Sequence, residues 1–194
     1  MPNVESLNQH NKNYISDDAF EKEKRAHLEH NSDNFKFLYQ DDIPHGDALD
    51  KHKLSYAVDI GSGTGWFANY LVEQRKYKKV YAIEPSEEAI EIAKKIYPDS
   101  NKVKYINGFA EEEISKLKLS KPTFFSTMCC LAHLEDKDVL GILKSIDKIA
   151  PIGSVLACSE PWGDFYHRVC WNIRPPEWWS DTLADWEFEF YNDY

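Results

Sequence analysis

The segment that decides the fold is VDIGSGTGW at residues 58–66. It overlaps a short apolar run, YAVDI at residues 56–60, and it leads into a helix-like stretch over residues 66–73. Glycine allows a backbone to turn tightly and to approach a ligand closely. The segment therefore predicts a strand, a glycine-rich turn and a helix in succession. The turn falls at the carboxyl end of the strand, where ligands of open α/β sheets bind.

The rest of the chain alternates strand-like and helix-like segments. Strand patterns follow at residues 80–83, 103–106, 123–129 and 154–159, and helix patterns lie between them at residues 86–97, 111–117 and 136–149. Strands that alternate with helices form right-handed βαβ units with helices on both faces of the sheet. The sequence therefore predicts an α/β fold with a doubly wound, mostly parallel sheet.

The chain divides into a polar N-terminal part and this α/β part. Residues 1–50 predict a helical lid or arm with a helix over residues 17–40, and residues 41–53 predict a polar linker. Residues 51–194 form the predicted ligand-binding domain. Its C-terminal part holds five of the six tryptophans, which either pack the last elements or cover a substrate with their rings. Residues 186–191 alternate apolar and charged side chains and predict a final strand.

Composition excludes several classes of partner. The 194-residue chain carries a formal net charge of -10 at pH 7, which repels phosphate backbones, so we expect no nucleic acid partner. Its four cysteines form no C-x-x-C pair, so we expect free thiols and no metal site. The N-terminus is polar, and no apolar stretch reaches the roughly 20 residues that a membrane helix needs. These features predict a cytoplasmic protein without membrane contact, and they leave the oligomeric state open.

Two acidic residues narrow the class of ligand. Asp59 lies two residues before the first glycine, where a carboxylate opposes a pyrophosphate and suits a ligand with an ammonium and a sulfonium group. Glu84 ends the second strand and can accept hydrogen bonds from both hydroxyls of a ribose. Trp66 occupies the place of the last glycine or alanine of a nicotinamide fingerprint, and the turn lacks the lysine of a phosphate-binding loop. The alternative is a turn that only packs a strand on a helix.

In these motifs the sequence resembles the class I S-adenosylmethionine (SAM)-dependent methyltransferases over residues 56–160, and within them the small-molecule methyltransferases. VDIGSGTG is similar to the first motif of that family, AIEPSEEAIEIAKK to the second and INGFAE to the third. TFFSTMCCLAHLED and IAPIGSVLACSEP are similar to the strand and loop segments that follow. The resemblance implies a Rossmann-like methyltransferase fold with SAM as the cofactor.

The same resemblance implies which residues hold the cofactor. By this resemblance, the methionine moiety lies against the glycine turn of Gly61, Ser62, Gly63 and Gly65, and its amino group binds the carboxylate of Asp59. The ribose binds at Glu84 and Pro85. The adenine lies beside Phe109, Ala110 and Glu111 after the third strand, and the sulfonium lies beside Thr127 and Met128 at the fourth.

Two of the departures from the family pattern concern the adenine site and the end of the sheet. Phe109 stands where the family often has an aspartate, so we expect either that Phe109 stacks on the adenine or that Glu111 contacts it. The family's sheet usually closes with two strands after the fifth helix, whereas only residues 186–191 predict one. We therefore expect either that the chain continues in nature or that the last antiparallel strand is lost or replaced.

Two residues are candidate general bases. His133 follows the fourth strand in the loop above the sulfonium, and Glu160 ends the fifth strand. Either can take a proton from an oxygen nucleophile. The alternatives are a histidine that only orders its loop and a strand-end acid that only accepts hydrogen bonds.

The sequence as a whole predicts a methyltransferase that moves the methyl group of SAM to an oxygen or nitrogen of a small-molecule acceptor. One alternative is a non-catalytic SAM-binding or scaffold protein of the same fold. The other is a nicotinamide-dependent oxidoreductase.

Overall fold

The computed structural model describes residues 45–98, 101–128, 130–160, 172 and 174–189. The predicted helix over residues 17–40 lies outside the described residues, and so do Trp162 and Trp171. The predicted division of the chain between residues 50 and 51 therefore remains a prediction.

Five parallel strands form the sheet in the order β3-β2-β1-β4-β5. They are β1 (Tyr56–Ile60), β2 (Lys79–Glu84), β3 (Val103–Asn107), β4 (Phe124–Met128) and β5 (Val155–Ser159). The doubly wound α/β fold is confirmed, and every pair of neighbouring strands in the described sheet is parallel. The strand order reverses between β1 and β4. In such sheets ligands bind in the crevice at the carboxyl ends of those strands.

Six α-helices accompany the strands in the described part of the chain. They are α1 (Gly46–His52), α2 (Trp66–Glu73), α3 (Glu87–Ile96), α4 (Ala110–Lys116), α5 (Asp136–Ile149) and α6 (Pro176–Thr182). A short 3-10 helix covers Leu131–His133. The predicted bounds of α2 and α5 are confirmed. Ser86 caps α3 as predicted, because its hydroxyl accepts a hydrogen bond of 3.2 Å from the N–H of Ala89.

The core covers both faces of the sheet. Phe124 and Phe125 are adjacent in β4 and both are fully buried, but they point to opposite faces because successive side chains of a strand alternate. Phe124 belongs to the cluster that contains Phe67 and Leu71 of α2, and Phe125 to the cluster that contains Leu143 of α5. A strand buried on both faces can be apolar throughout, which explains two consecutive phenylalanines.

Residues 46–52, predicted as part of a polar linker, form α1 instead. Leu49 is the buried residue of this helix, and it belongs to the core cluster on the α2 face of the sheet. A single buried leucine leaves no helical periodicity in the sequence, so the pattern could not reveal the helix.

The predicted strand at residues 186–191 is wrong in its described part, because residues 186–189 form no strand. Instead, the indole Nε1 of Trp186 donates a hydrogen bond of 3.1 Å to Asp147 of α5. Trp186 and Phe188 pack against the core cluster that contains the buried side chains of α5. The apolar side chains of this alternating segment therefore pack on the helix layer that contains α5. Among the described residues, no helix has the length and apolar character needed to cross a membrane.

Candidate functional site

The glycine turn, residues 61–65, connects β1 to α2 and contacts the end of β2. The backbone N–H groups of Gly61 and Ser62 both donate to the carbonyl of Ile83, at 2.9 and 3.1 Å. Gly65 caps α2, and its N–H donates to the carbonyl of Ser62 at 2.9 Å. The turn therefore lies at the reversal of strand order, where the sequence predicts the ligand.

Gly61 and Gly63 require glycine for different reasons. Both have a positive φ, 70° and 52°, which residues with a Cβ rarely adopt. A Cβ at Gly61 would lie 2.9 Å from the Cβ of Cys130 and would also overlap its sulfur, so this glycine permits a close approach of the chain after β4. A Cβ at Gly63 would meet no heavy atom of the described residues within 4 Å. Gly63 thus borders open space in which a ligand can lie against the backbone.

Glu84 ties the end of β2 to the glycine turn. Its Oε2 accepts a hydrogen bond of 2.9 Å from the N–H of Gly63, and its Oε1 accepts one of 2.9 Å from the N–H of Ser86. Burial raises the pKa of the Glu84 carboxyl, and the two N–H donors oppose that rise. Each oxygen keeps a second lone pair, so Glu84 can order the turn and still accept from ribose hydroxyls. The carbonyl of the adjacent Pro85 accepts from the amide of Asn107 at 3.0 Å.

Asp59 lies beneath the glycine turn and is only 3% exposed. Its Oδ1 accepts a hydrogen bond of 3.0 Å from the hydroxyl of Ser126 on β4. Its Oδ2 has no well-aligned hydrogen-bond donor among the described residues. Burial raises the pKa of Asp59 to about 7; the hydroxyl of Ser126 and the backbone N–H of Ala68 oppose this rise, and the charge of Glu84 adds to it. A buried carboxylate oxygen without a donor is costly, and a cationic group of a ligand can supply the missing donor.

The predicted adenine edge lies where β3 leads into α4. Phe109 precedes the helix, is half-buried and provides no side-chain cap; the half-buried Ala110 follows it. The side chain of Glu111 is directed at α5, because a Cβ added to Gly141 would lie 2.5 Å from its carboxyl carbon. The Glu111 carbonyl also accepts from the hydroxyl of Ser145 on α5, at 3.1 Å. Of the two alternatives for the adenine, this arrangement favours Phe109.

The β4 turn, residues 130–134, carries His133. Met128 ends β4 and is half-buried, whereas His133 is exposed at the end of the 3-10 helix. Glu160 follows β5, and its Oε1 and Oε2 accept from the N–H groups of Cys130 and Ala132, at 3.3 and 3.0 Å. Burial raises the pKa of the Glu160 carboxyl, and these N–H donors oppose the rise. Both oxygens of Glu160 are therefore engaged in holding the β4 turn.

His45 reaches the site but was not among the predicted residues. Its Nε2 lies 3.2 Å from the carbonyl oxygen of Thr127, which is fully buried in β4. A carbonyl only accepts, so Nε2 carries the proton. The ring makes edge contacts with Phe67 and Phe124, with centroids 5.6 and 6.0 Å apart, and burial lowers the pKa of His45 to about 4. The imidazole is therefore neutral at pH 7. The segment around His45 in the sequence is polar and forms no motif, so the sequence does not indicate that His45 reaches the site.

Three more supporting residues carry no motif in the sequence. The amide Nδ2 of Asn69 donates to the carbonyl of Gly65 and contacts the hydroxyl of Tyr105, both at 2.7 Å, and so supports the glycine turn from α2 and β3. Arg174 is buried, and its guanidinium binds carbonyls of the β4 turn. Only the packing of distant elements reveals these contacts.

Comparison with known proteins identifies the class of this fold. Residues 57–150 match a family described as methyltransferase domain, and no curated protein matches the chain. The chain is similar to solved SAM-dependent methyltransferases from Leishmania major (18% identity, TM-score 0.56, 72% of this chain and 56% of that chain) and Archaeoglobus fulgidus (16%, 0.56, 79% and 73%). It is also similar to precorrin 8W decarboxylase from Methanobacterium thermoautotrophicum (18%, 0.50, 71% and 67%).

The matched residues run from β1 to the end of α5 and so include the glycine turn, Glu84 and His133. Together with the strand order and the motif-bearing turn, the match supports a methyltransferase domain of the class I SAM-dependent family in this segment. SAM is the cofactor of that family. The solved structures establish the fold alone at these identities, and the chain spans 56% of the length of the Leishmania protein.

Proposed function

We propose that the protein binds SAM at the glycine turn and transfers its methyl group to an oxygen or nitrogen of a small molecule. The observation that carries the proposal is the buried Oδ2 of Asp59, which has no well-aligned donor among the described residues, beneath a turn that borders open space at Gly63. A ligand with an ammonium group and ribose hydroxyls supplies donors to Asp59 and Glu84. The pyrophosphate of a nicotinamide cofactor would instead bring like charge to Asp59.

In this proposal the predicted residues bind and orient the cofactor. Asp59 accepts from its ammonium group, Glu84 accepts from its ribose, and Phe109 stacks on its adenine. Thr127 and Met128 border the sulfonium at the end of β4. SAM supplies a methyl group that is already activated, so the protein mainly aligns the acceptor with it and excludes water.

We assign the general base to His133 and a loop-holding role to Glu160. His133 is exposed at the end of the β4 turn, where its imidazole can take the proton of an acceptor hydroxyl. Glu160 uses both carboxylate oxygens to hold two N–H groups of the same turn. Glu160 therefore holds the turn that carries His133.

A small-molecule acceptor and a cytoplasmic location belong to the same proposal. The formal net charge of -10 at pH 7 opposes binding to nucleic acid. Cys158 is a free thiol, and free thiols are typical of reducing compartments.

Calorimetric titration of the full chain with SAM, S-adenosylhomocysteine (SAH) and NAD tests the cofactor assignment. We expect SAM and SAH to bind and NAD to give no heat. Asp59→Asn should weaken the binding of SAM and SAH, whereas the exposed Asp185→Asn should not. Tight binding of NAD without binding of SAM would identify an oxidoreductase instead.

A methylation assay with labelled SAM tests the reaction. The panel contains small hydroxyl and amine acceptors beside RNA and protein, and we expect label on a small molecule only. Label on RNA or protein would reject the small-molecule assignment. Binding of SAM with no turnover on any acceptor would favour the non-catalytic SAM-binding protein.

A further inference from the structure

The β4 turn is held from two sides by side chains of other elements. On one side Glu160 accepts two of its backbone N–H groups. On the other side Asn172 and Arg174, which lie beyond β5 in the chain, bind its carbonyl groups. The N–H and carbonyl groups of one short turn are thus bound by two separate parts of the chain.

Arg174 contributes its whole guanidinium to this arrangement. Nη1 donates to the carbonyl of Leu131 at 2.9 Å, and Nη2 donates to the carbonyl of Leu134 at 2.7 Å. Nε donates to Asp136 Oδ1, at 2.9 Å, where α5 begins. The guanidinium carbon lies 5.1 Å from the centre of the Trp178 ring. The planar fork of arginine matches such a set of acceptors, whereas lysine carries a point charge on a flexible stem.

Asn172 adds two further bonds to the same turn. Its backbone N–H donates to the carbonyl of Ala132 at 2.7 Å, and its side-chain Nδ2 donates to the carbonyl of Leu134 at 2.8 Å. Three carbonyl groups of the β4 turn therefore accept hydrogen bonds from Asn172 and Arg174.

Because Arg174 is buried, its contacts require the β4 turn to be in one position. Arg174 is 7% exposed, and a buried cation is strongly destabilising unless its partners are in place. Its partners here are carbonyl groups, the carboxylate of Asp136 and the face of an aromatic ring. The β4 turn and Arg174 consequently hold each other in a single arrangement.

The β4 turn also connects to both halves of the proposed site. It carries His133, and its Cys130 lies against Gly61 of the glycine turn. A displacement of the β4 turn therefore moves the proposed base relative to the glycine turn. Asn172 and Arg174 lie outside residues 57–150, which match the methyltransferase family.

We propose that Arg174 is a positioning residue for methyl transfer, which holds the β4 turn so that His133 is aligned with the acceptor. The inference rests on the proposed function and deepens it. Arg174 acts through the β4 turn, and the part of the chain beyond β5 becomes a component of the active site.

The test compares Arg174→Ala and Arg174→Lys with the wild-type full chain. The matched control is Arg75→Ala. Arg75 lies just beyond the end of α2 that is remote from the glycine turn, and it pairs with the exposed Asp50. Hydrogen exchange reports on the backbone amides of the β4 turn, calorimetry gives the Kd for SAH, and steady-state kinetics give kcat and KM over a range of pH.

In Arg174→Ala we expect exchange in the β4 turn to accelerate by about tenfold or more while the sheet keeps its protection. We expect kcat to fall by about 10²-fold, as for a misplaced catalytic group, and the limb of its pH profile due to His133 to shift or vanish. The KM for SAM and the Kd for SAH should change by less than about threefold. Arg174→Lys should be intermediate, and Arg75→Ala should match the wild type.

Two results overturn the inference. The first is unchanged exchange in the β4 turn with unchanged kcat. The second is a uniform loss of protection and SAH affinity without a change in pH profile, which marks a purely structural arginine. If Arg174→Ala does not fold, Arg174→Lys and Asn172→Ala are measured in the same way. Wild-type protein that binds neither SAM nor SAH instead overturns the proposed function, so the two failures are distinguishable.

Discussion

Glu84 at the end of β2 accepts a hydrogen bond of 2.9 Å from the backbone N–H of Gly63 in the glycine turn. On the other side of the crevice, Glu160 after β5 accepts from two N–H groups of the β4 turn. Since β2 flanks β1 and β5 flanks β4, each central loop is held by an acid from its outer neighbour. The two acids thus order both walls of the crevice.

Glu84→Ala should weaken SAM binding by about 1–3 kcal/mol, the typical loss when hydrogen bonds to a charged acceptor are removed. The change removes the ribose contacts and also releases the N–H of Gly63. Calorimetry of the full chain measures the effect. Glu91→Ala, on an exposed position of α3, is the matched control and should leave the Kd unchanged. An unchanged Kd in Glu84→Ala would reject the ribose assignment.

Asp59→Asn should stabilise the ligand-free protein at alkaline pH. Burial raises the pKa of Asp59 from 3.8 to about 7, so the folded protein holds this proton more tightly than the unfolded chain. The ionised carboxylate therefore destabilises the fold above pH 7, and this penalty is relieved as the pH falls from about 7 toward 4.

Thermal unfolding of both proteins at about pH 8 and about pH 5 checks this expectation. The Tm of Asp59→Asn should exceed that of the wild type at the higher pH, and the gap should narrow at the lower pH. Asp185→Asn, at an exposed position, should show no such change. An equal difference in Tm at both pH values would contradict the raised pKa of Asp59.

The affinity for SAM should rise with pH up to about 7. The ammonium group of SAM pairs with the ionised form of Asp59, so the proton must leave before the ligand binds. Below the pKa of Asp59 the association constant should grow by about tenfold per pH unit, and above it the curve should flatten. Asp59→Asn should bind weakly and without this slope. A wild-type affinity that is constant from pH 5.5 to 7 argues against the ammonium contact.

His133→Ala should lower turnover by about 10²–10⁴-fold, the usual contribution of a general base. The Kd for SAM should stay near the wild-type value, because His133 is exposed at the end of the β4 turn. His52→Ala, on an exposed position of α1, is the matched control for both measurements. Full activity of His133→Ala would leave His133 as a residue that only orders its loop.

Gly61→Ala and Gly63→Ala should separate stability from binding. Both place a Cβ on a positive φ, which costs about 1–2 kcal/mol, but only at Gly61 does the new methyl group overlap Cys130. We expect Gly61→Ala to lower the Tm more. Gly63→Ala should keep the fold and lose SAM affinity, because its methyl group enters the open space beside the turn. Unchanged SAH affinity of Gly63→Ala would show that the cofactor does not lie there.

Local signals explain why much of the architecture was predictable. The glycine turn, the apolar strands and the cap at Ser86 each depend on a few adjacent residues. The same kind of signal failed at residues 186–189, where alternation serves the packing of Trp186 and Phe188 near α5. Alternating apolar side chains indicate a segment with one buried face. Such a segment can pack that face against a helix without pairing as a strand of a sheet.

By itself, the sequence determined the class of fold and the positions of the glycine turn, Asp59 and Glu84, because these follow from spacing along one strand–turn–helix unit and the next. Only the tertiary structure decided that Glu160 binds the β4 turn, that His45 reaches the end of β4 and that Arg174 clamps the β4 turn. Glu160 is 28 residues, His45 82 residues and Arg174 40 residues from its partner. Contacts between residues so far apart leave no periodic trace in the sequence, since they form only when whole elements pack together.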